Sequence, residues 1–467
     1  MNLRRWLTIG IGVKRWLLLA FLGLLILALG VAHILRQLTA TPPGGPAGAL
    51  IDLLTLQFLP YQVRGSIAGA VGLTLFLYGA YRLMRALLDP LATWDRDQPM
   101  VELIYQKRFL ARGPRVVAIG GGTGLSALLR GVKEHTSNLT AVVTVADDGG
   151  SSGILREELG IPAVGDIRNC IVALADAEPL MGRLLQYRFP GAERAAPASA
   201  PDAGDAPGLP PARSAEALSK GLGGHALGNL LLAALTALEG GDFEEGVREM
   251  NRVLAVRGRV VPATGTVLSL HARLQDGSEV EGQSRIARTA AVDRVWVMPP
   301  DVRASEDAVR AIREADLVVI GPGSLYTSIL PALMVPGIAE AVRASGALVV
   351  FVCNVATQAG ETDHHDLAGH IEALDRHALA DLPRIVLANN RLDAKPPVGW
   401  RGEPVRLRWP PAGVADGGPS LVLEDVVDPV NAHRHDPDRL ARAVIGIWDR
   451  EGAPRRRPAS ARVGRAS

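Results

Sequence analysis

Cysteine is nearly absent: 467 residues contain two, Cys170 and Cys353, each beside apolar neighbours. That excludes a disulfide framework and points to reduced, buried thiols. Charge of one sign is also lacking. A net charge of +2 supplies no electrostatic footprint for nucleic acid. The group His364, His365, Asp366 and His370 has no cysteine nearby and no zinc-site spacing. A full dinucleotide fingerprint is missing as well, because Leu125 stands where G-x-G-x-x-G needs its last glycine, which counts against an NAD(P)-linked oxidoreductase. No nucleophile with an adjacent base, and no separated acid and base pair, stands out, so binding is favoured over catalysis.

Hydrophobic residues, by contrast, make up 48% of the chain, and the surplus sits at its beginning. Trp16 to Leu35 and Ile67 to Leu88 are apolar runs long enough for a hydrocarbon core of about 30 Å, which predicts a two-helix transmembrane hairpin within residues 1–90. Arg4, Arg5, Lys14 and Arg15 precede the first run, and Arg82, Arg85, Arg96, Lys107 and Arg108 lie in or after the end of the second. The positive-inside rule then puts both ends in the cytoplasm, as a two-pass protein of the inner membrane. Residues 91–113 read as a linker, 190–214 as a disordered Ala/Pro/Gly insertion, and 450–467 as a disordered basic tail.

The rest of the chain is arranged around Arg115 to Leu129, R-V-V-A-I-G-G-G-T-G-L-S-A-L-L. A short apolar run, a glycine cluster and a helical pattern predict strand, turn and helix. Gly120, Gly121, Gly122 and Gly124 let backbone approach an anion, Thr123 adds a hydroxyl, and a helix beginning near Leu125 would aim its first amides at it. The residues alone also allow a tight turn with no ligand.

T-A-V-V-T-V-A gives a second strand, so strand, helix and strand predict a parallel sheet whose carboxyl-end loops share a crevice. Asp147, Asp148, Ser151 and Ser152 follow it and could hold ribose, sugar hydroxyls or Mg²⁺, or merely cap a helix. Asp166 is placed to cap the next helix, with Arg168 and Asn169 in its first turn as an anion partner and a two-way hydrogen-bonding group. His225 and Asn229 share one helix face. Val260 to Arg288 reads as a β excursion turning at Asp276-Gly277. Gly321-Pro322-Gly323-Ser324-Leu325-Tyr326 repeats the glycine-turn logic after another strand, and Asn354 and Thr357 follow the next. A last strand ends at Asn389 before irregular Pro-rich sequence, and Asp436-Pro437 opens a closing helix just after Arg434.

Six ordered motifs, G-G-G-T-G, A-D-D-G-G-S-S-G, G-D-I-R-N-C, H-A-L-G-N-L, G-P-G-S-L-Y-T-S and C-N-V-A-T-Q-A-G-E-T, resemble the YvcK branch of the YvcK/CofD-like family, the gluconeogenesis factors. The resemblance covers about Arg115 to Trp448, within a predicted domain of residues 114–449. It implies a Rossmann-like, mostly parallel α/β fold with helices on both faces, and a binder of UDP-sugars such as UDP-N-acetylglucosamine linked to carbon metabolism, cell-wall precursor supply and cell shape. The CofD branch implies the alternative, an Mg²⁺-dependent transferase acting on a nucleotide diphosphate, although its P-D-x-D-T stretch is absent. Carried over by motif, Gly121 to Gly124 and Arg434 would hold diphosphate, and Asp147 and Asp148 ribose, sugar or metal. Asn229, Ser324, Tyr326, Asn354 and Thr357 would supply further polar contacts, beside Ser151, Ser152, Asn169, His225 and Gly323. No cofactor is required for binding, with Mg²⁺ optional; the partners are the sugar nucleotide, the membrane, and a second copy in a homodimer.

Overall fold

Five buried residues, Val116–Gly120, form β1, and the same apolar pattern recurs in β2 (Leu139–Val143), β8 (Leu348–Val352) and β9 (Ile385–Asn389). Strands buried along their whole length must be covered on both faces, and that favours a parallel sheet flanked by helices. The computed structural model, which describes residues 13–35, 60–88, 110–175, 179–190, 221–289, 291–393, 400–411 and 418–452, contains such a sheet. With β3 (Arg259–Pro262), β7 (Leu317–Ile320) and β10 (Ser420–Glu424), it has seven strands in the order β10-β9-β8-β7-β1-β2-β3, every pair parallel. The chain builds outward from β1 to β3 and then returns to the other side of β1 to lay down β7 through β10. The loops after β1 and β7 therefore diverge at a topological switch point, where open α/β sheets bind ligands.

The expected β excursion is a separate antiparallel sheet, β5-β4-β6, formed by Ser269–Leu274 (β4), Glu279–Glu281 (β5) and Val292–Met298 (β6). Val260 belongs instead to β3 in the main sheet, because its strand is flanked by the buried β2. Between β4 and β5, Gly277 takes φ +84 and the Asp276 carboxylate accepts from the Ser278 amide at 2.9 Å, the chemistry of a tight turn. Strand β10 is unexpected: Ser420–Glu424 is an edge strand with no fully buried residue, so it lacks the apolar run that marks the others.

Three helix starts differ from expectation. The first follows its strand at once, spanning Gly122–Val132, so Gly122, Thr123 and Gly124 lie in its first turn rather than before it. The second spans Gly165–Leu174 with Val164 at the cap; Asp166 is in the first turn and does not cap it. The third, Gly150–Leu159, takes in Ser151 and Ser152. The closing helix does begin as read, with Asp436 accepting from the Arg439 amide at 2.8 Å and Pro437 first in Pro437–Ile447.

Residues Met1–Arg112 form one compact unit and Gly113–Ser467 another. Helices Val13–Leu35 and Tyr61–Leu88 fall on the two apolar runs. The expected pair of transmembrane helices is nonetheless not supported, since among the described residues no single helix is long and apolar enough to cross a membrane. The insertion at 190–214, nearly all of the 91–113 linker and the basic tail lie outside the described residues.

Candidate functional site

The two glycine turns meet at the switch point. A Cβ on Gly124 would stand 2.8 Å from the Pro322 carbonyl oxygen, and one on Gly323 would stand 3.0 Å from that of Gly121. A side chain at Gly124 would push the turns apart, and one at Gly323 would need them to give by a few tenths of an ångström, so the contact between loops as well as any ligand favours glycine there. Asn354, just past β8, clamps the second turn: its amide donates to the Gly323 carbonyl at 2.8 Å and its Oδ1 accepts from the Gly323 N–H at 3.2 Å. Ser324 donates to Gln358 Oε1 at 2.8 Å. Thr123 is exposed, and Gly122, Gly124, Ser324 and Asn354 keep partial access to solvent.

A carboxylate already sits at the first turn. Asp166 Oδ2 lies against Gly121, just before helix Gly122–Val132. Burial, then the neighbouring Asp147 charge, raises its pKa to about 7, against the pull of the Gly122 N–H and of Arg168. Asp147 is raised too, chiefly by burial, while the Gly149 N–H and the Ser152 hydroxyl favour its charged form. The expected pairing of Asp147 with Asp148 for a metal is not what the structure assembles. Asp148 Oδ1 accepts from the Ser284 N–H at 2.7 Å and its Oδ2 lies against Gly282, whereas Asp147 Oδ2 faces Gly165. The two carboxylates diverge, and among the described residues no group of three or more His, Cys, Asp or Glu is placed to hold a metal ion. His370, in the sequence cluster weighed for zinc, is buried and bonds the Asp366 carbonyl at 2.8 Å.

Behind the carboxylates lies a chain of buried polar groups. Arg168, only 8% exposed, donates to Asn229 Oδ1 at 3.0 Å and to Asn169 Oδ1 at 2.8 Å. Asn229 in turn donates to the Ser151 hydroxyl at 2.9 Å, which is 3.0 Å from His225 Nδ1. Ser151, Arg168 and the His225–Asn229 motif, far apart along the chain, are thus joined in one network. Burial pulls the Arg168 guanidinium below its ordinary value, while Asp166 and Asp147 oppose that shift. A buried cation beside two reluctant carboxylates forms a partly neutralised base for the crevice.

Two expected contacts are bonded to other parts of the protein, and a third lies toward the far end of the first helix. Tyr326 is fully buried, its hydroxyl accepting from Arg376 at 3.0 Å and lying 3.3 Å from His365 Nε2. Thr357 accepts from the Glu403 N–H at 2.9 Å. Arg434 precedes a helix whose Pro437 carbonyl abuts Gly131, near the far end of helix Gly122–Val132 from the glycine turn. Sequence reasoning misses the roles of two residues. Asp166 reads as a cap, although an acid and an arginine two apart in G-D-I-R-N-C are an available signal for more. Glu361 is buried and accepts from the Tyr326 and Thr327 amides at 2.8 and 3.0 Å, and so anchors the segment after the second turn. Burial raises it to about 7.

The sequence profile of the family described as "2-phospho-L-lactate transferase CofD" matches residues 116–397. The chain is 45% identical over 284 residues to the gluconeogenesis factor of Bacillus subtilis, covering 60% of this chain and 80% of that protein. It is 47% identical over 263 residues to the gluconeogenesis factor of Halalkalibacterium halodurans, covering 56% of this chain and 73% of that one. The crystal structure of a Bacillus halodurans protein matches with TM-score 0.61 at 39% identity, over 72% of this chain and 100% of that chain.

Proposed function

The chain belongs to the gluconeogenesis-factor branch of the CofD-like family, and from that premise we propose that it is a membrane-tethered, UDP-sugar-binding regulatory protein. The observation that carries this reading is the meeting of two glycine turns at the switch point of the sheet, where Thr123, Ser324 and Asn354 have access to solvent. Close-packed backbone suits a diphosphate, and the neutral donors and acceptors around it suit ribose and sugar hydroxyls. Asp147 and Asp166, with pKa values raised by burial, add little repulsion toward that anion when protonated. Binding would favour one conformation for a protein partner to read, in the service of carbon metabolism, cell-wall precursor supply and cell shape. Nucleic acid has no place in this reading, and a homodimer is compatible with it.

The tether is supported by the packing of the first unit. A Cβ on Gly23 would stand 2.5 Å from the Phe76 nitrogen, one on Gly72 2.6 Å from that of Leu27, and one on Gly79 2.9 Å from that of Ala20. Small residues thus bring helices Val13–Leu35 and Tyr61–Leu88 into backbone contact, while Leu18, Phe21, Leu25, Leu29 and Leu77 face outward, each more than 45% exposed. Small residues inside and large apolar ones outside leave the pair an apolar surface suited to lipid. Fractionation of cells checks it: the full chain should stay with the inner membrane through a high-salt wash and leave it only with detergent.

Calorimetric titration of the full chain with UDP-N-acetylglucosamine, beside UDP-glucose, GDP and NAD, tests the ligand. Saturable binding of the UDP-sugar, weakened about tenfold (about 1.4 kcal/mol) in Asn169→Ala with the ligand recovered intact, is the expected result. No binding would remove the sensor reading. The second reading, a CofD-like transferase, is favoured by the profile match over residues 116–397. There Mg²⁺ would arrive with the nucleotide diphosphate, with Asp147 beside it and Asp148 committed to Ser284. Product formed only when a nucleotide diphosphate donor, an acceptor and Mg²⁺ are all present would select it.

A further inference from the structure

At the other end of the sheet, the amino ends of β1, β2 and β3 and the helix Glu306–Glu314 surround a cavity of about 320 Å³. Its polar lining comprises Arg115, Ser137, Asn138, Thr140, Arg259 and Glu314. Four residue steps of β1 separate Val116, at this cavity, from Gly120 at the glycine turn, which at about 3.3 Å per residue is about 13 Å. The two places are therefore separate.

We infer that this cavity is a second ligand site, for a small phosphate ester. Arg259 is the reason. Its Nε donates to Thr140 Oγ1 at 3.0 Å, which fixes the plane of the guanidinium. Among the described residues it has no carboxylate within ion-pair distance, and it is half-buried. Glu314, the carboxylate in the lining, is exposed and acts on Arg259 only from beyond that distance. Burial disfavours the charge on Arg259, and Arg310, itself paired with Asp307, disfavours it further. A half-buried guanidinium beside a second arginine is electrostatically incomplete, and a bound dianion completes it.

The other walls suit the same ligand. Arg115, which lines the cavity, is held in place by Asp316, whose Oδ2 accepts from its Nε at 3.2 Å and whose Oδ1 accepts from its Nη2 at 3.0 Å, so it does not need to be ordered by the ligand. The Ser137 hydroxyl lines the same space. The planar fork of arginine matches the tetrahedral oxygens of phosphate, and the volume lies at the small end of the usual range for ligand pockets, about 300–1,000 Å³, with room for a body of a few carbons. Because β1 runs from this cavity to the glycine turn, a ligand here has a rigid element through which to bias the crevice.

The test is calorimetric titration of the full chain in detergent with sn-glycerol 3-phosphate and with inorganic phosphate, at ionic strength held constant by potassium chloride. Saturable binding of both is expected. Arg259→Gln should weaken it by about tenfold or more, Arg259→Lys by less because the charge remains, and Thr140→Val, which frees the guanidinium from its anchor, by an intermediate factor (tenfold being about 1.4 kcal/mol). Val430→Ala, at an exposed position outside the cavity lining and outside the crevice, should leave it unchanged. Heat indistinguishable from that of the chloride control, or undiminished binding in both Arg259→Gln and Thr140→Val, would overturn the assignment.

Discussion

Asp166 stands over Gly121 so closely that its Oδ2 fills the space a Cβ on Gly121 would need. Gly121 has φ −175, extended backbone open to any residue, so the demand for glycine there is steric and comes from across the crevice. The same carboxylate is drawn toward its charged form by the Gly122 N–H, at the spot where a helix start attracts an anion.

Gly121→Ala should therefore destabilise the protein by about 1–3 kcal/mol, the usual cost of overpacking. Adding Asp166→Ala should return part of that loss, and only part, because Thr144 Cγ2 also lies 2.7 Å from where the alanine Cβ would stand. Denaturant unfolding of the wild type, both single variants and the double variant measures the coupling. Strict additivity would show that Asp166 does not crowd the turn.

Arg168→Met removes the donor that satisfies both Asn229 and Asn169. Hydrogen bonds to a charged group contribute about 1.5–3 kcal/mol, so a loss of that order is expected in the unfolding free energy from denaturant titration. Without the nearby positive charge, Asp166 should also titrate above its value of about 7, which carbon-detected NMR of the side-chain carboxyl would follow.

Asn354→Ala breaks the two-way clamp on Gly323. The fold should survive with a loss of about 1–2 kcal/mol, while affinity for the UDP-sugar falls by more than that of a variant remote from the crevice. Parallel titrations of the variant and wild type decide it; equal affinities would take the second turn out of the site.

Two buried groups pull stability in opposite directions with pH. Glu361, raised from 4.5 to about 7, holds its proton better when folded, so its contribution is complete below 4.5 and is lost as pH rises through 7. His370, lowered from 6.5 to about 4, stays neutral when folded, so its contribution is complete above 6.5 and is lost as pH falls through 4. Relative to wild type, Glu361→Gln should gain stability on going from pH 5 to pH 7, and His370→Gln should gain less than wild type does. Urea midpoints at the two pH values give both signs, and parallel behaviour of the two variants would contradict the assignment.

The motifs are legible because each packs its glycines and polar residues into one short stretch, G-G-G-T-G or G-P-G-S, between an apolar strand and a helix. Roles within them are less legible. Tyr326 and Thr357 look like ligand contacts because they follow glycine turns and strands, yet one is spent on Arg376 and His365 and the other on Glu403, partners 39 to 50 residues away. Asp148 looks like the partner of Asp147 because it is next in sequence, and side chains adjacent on an extended segment point apart.

The amino-acid sequence by itself determined the parallel α/β class, the family and the sites of the two glycine turns, because those depend on local periodicity and on residues few backbones can replace. Tertiary structure alone decided that the turns touch, that Asp148 is bonded to the Ser284 amide, and that Arg168 is held by Asn229 from a helix 61 positions on. It also placed Arg259 against Thr140 in a cavity at the opposite end of the sheet. These are meetings of strands and helices ordered by crossover, and the spacing of residues along one chain carries no record of which distant side chains a crossover brings together.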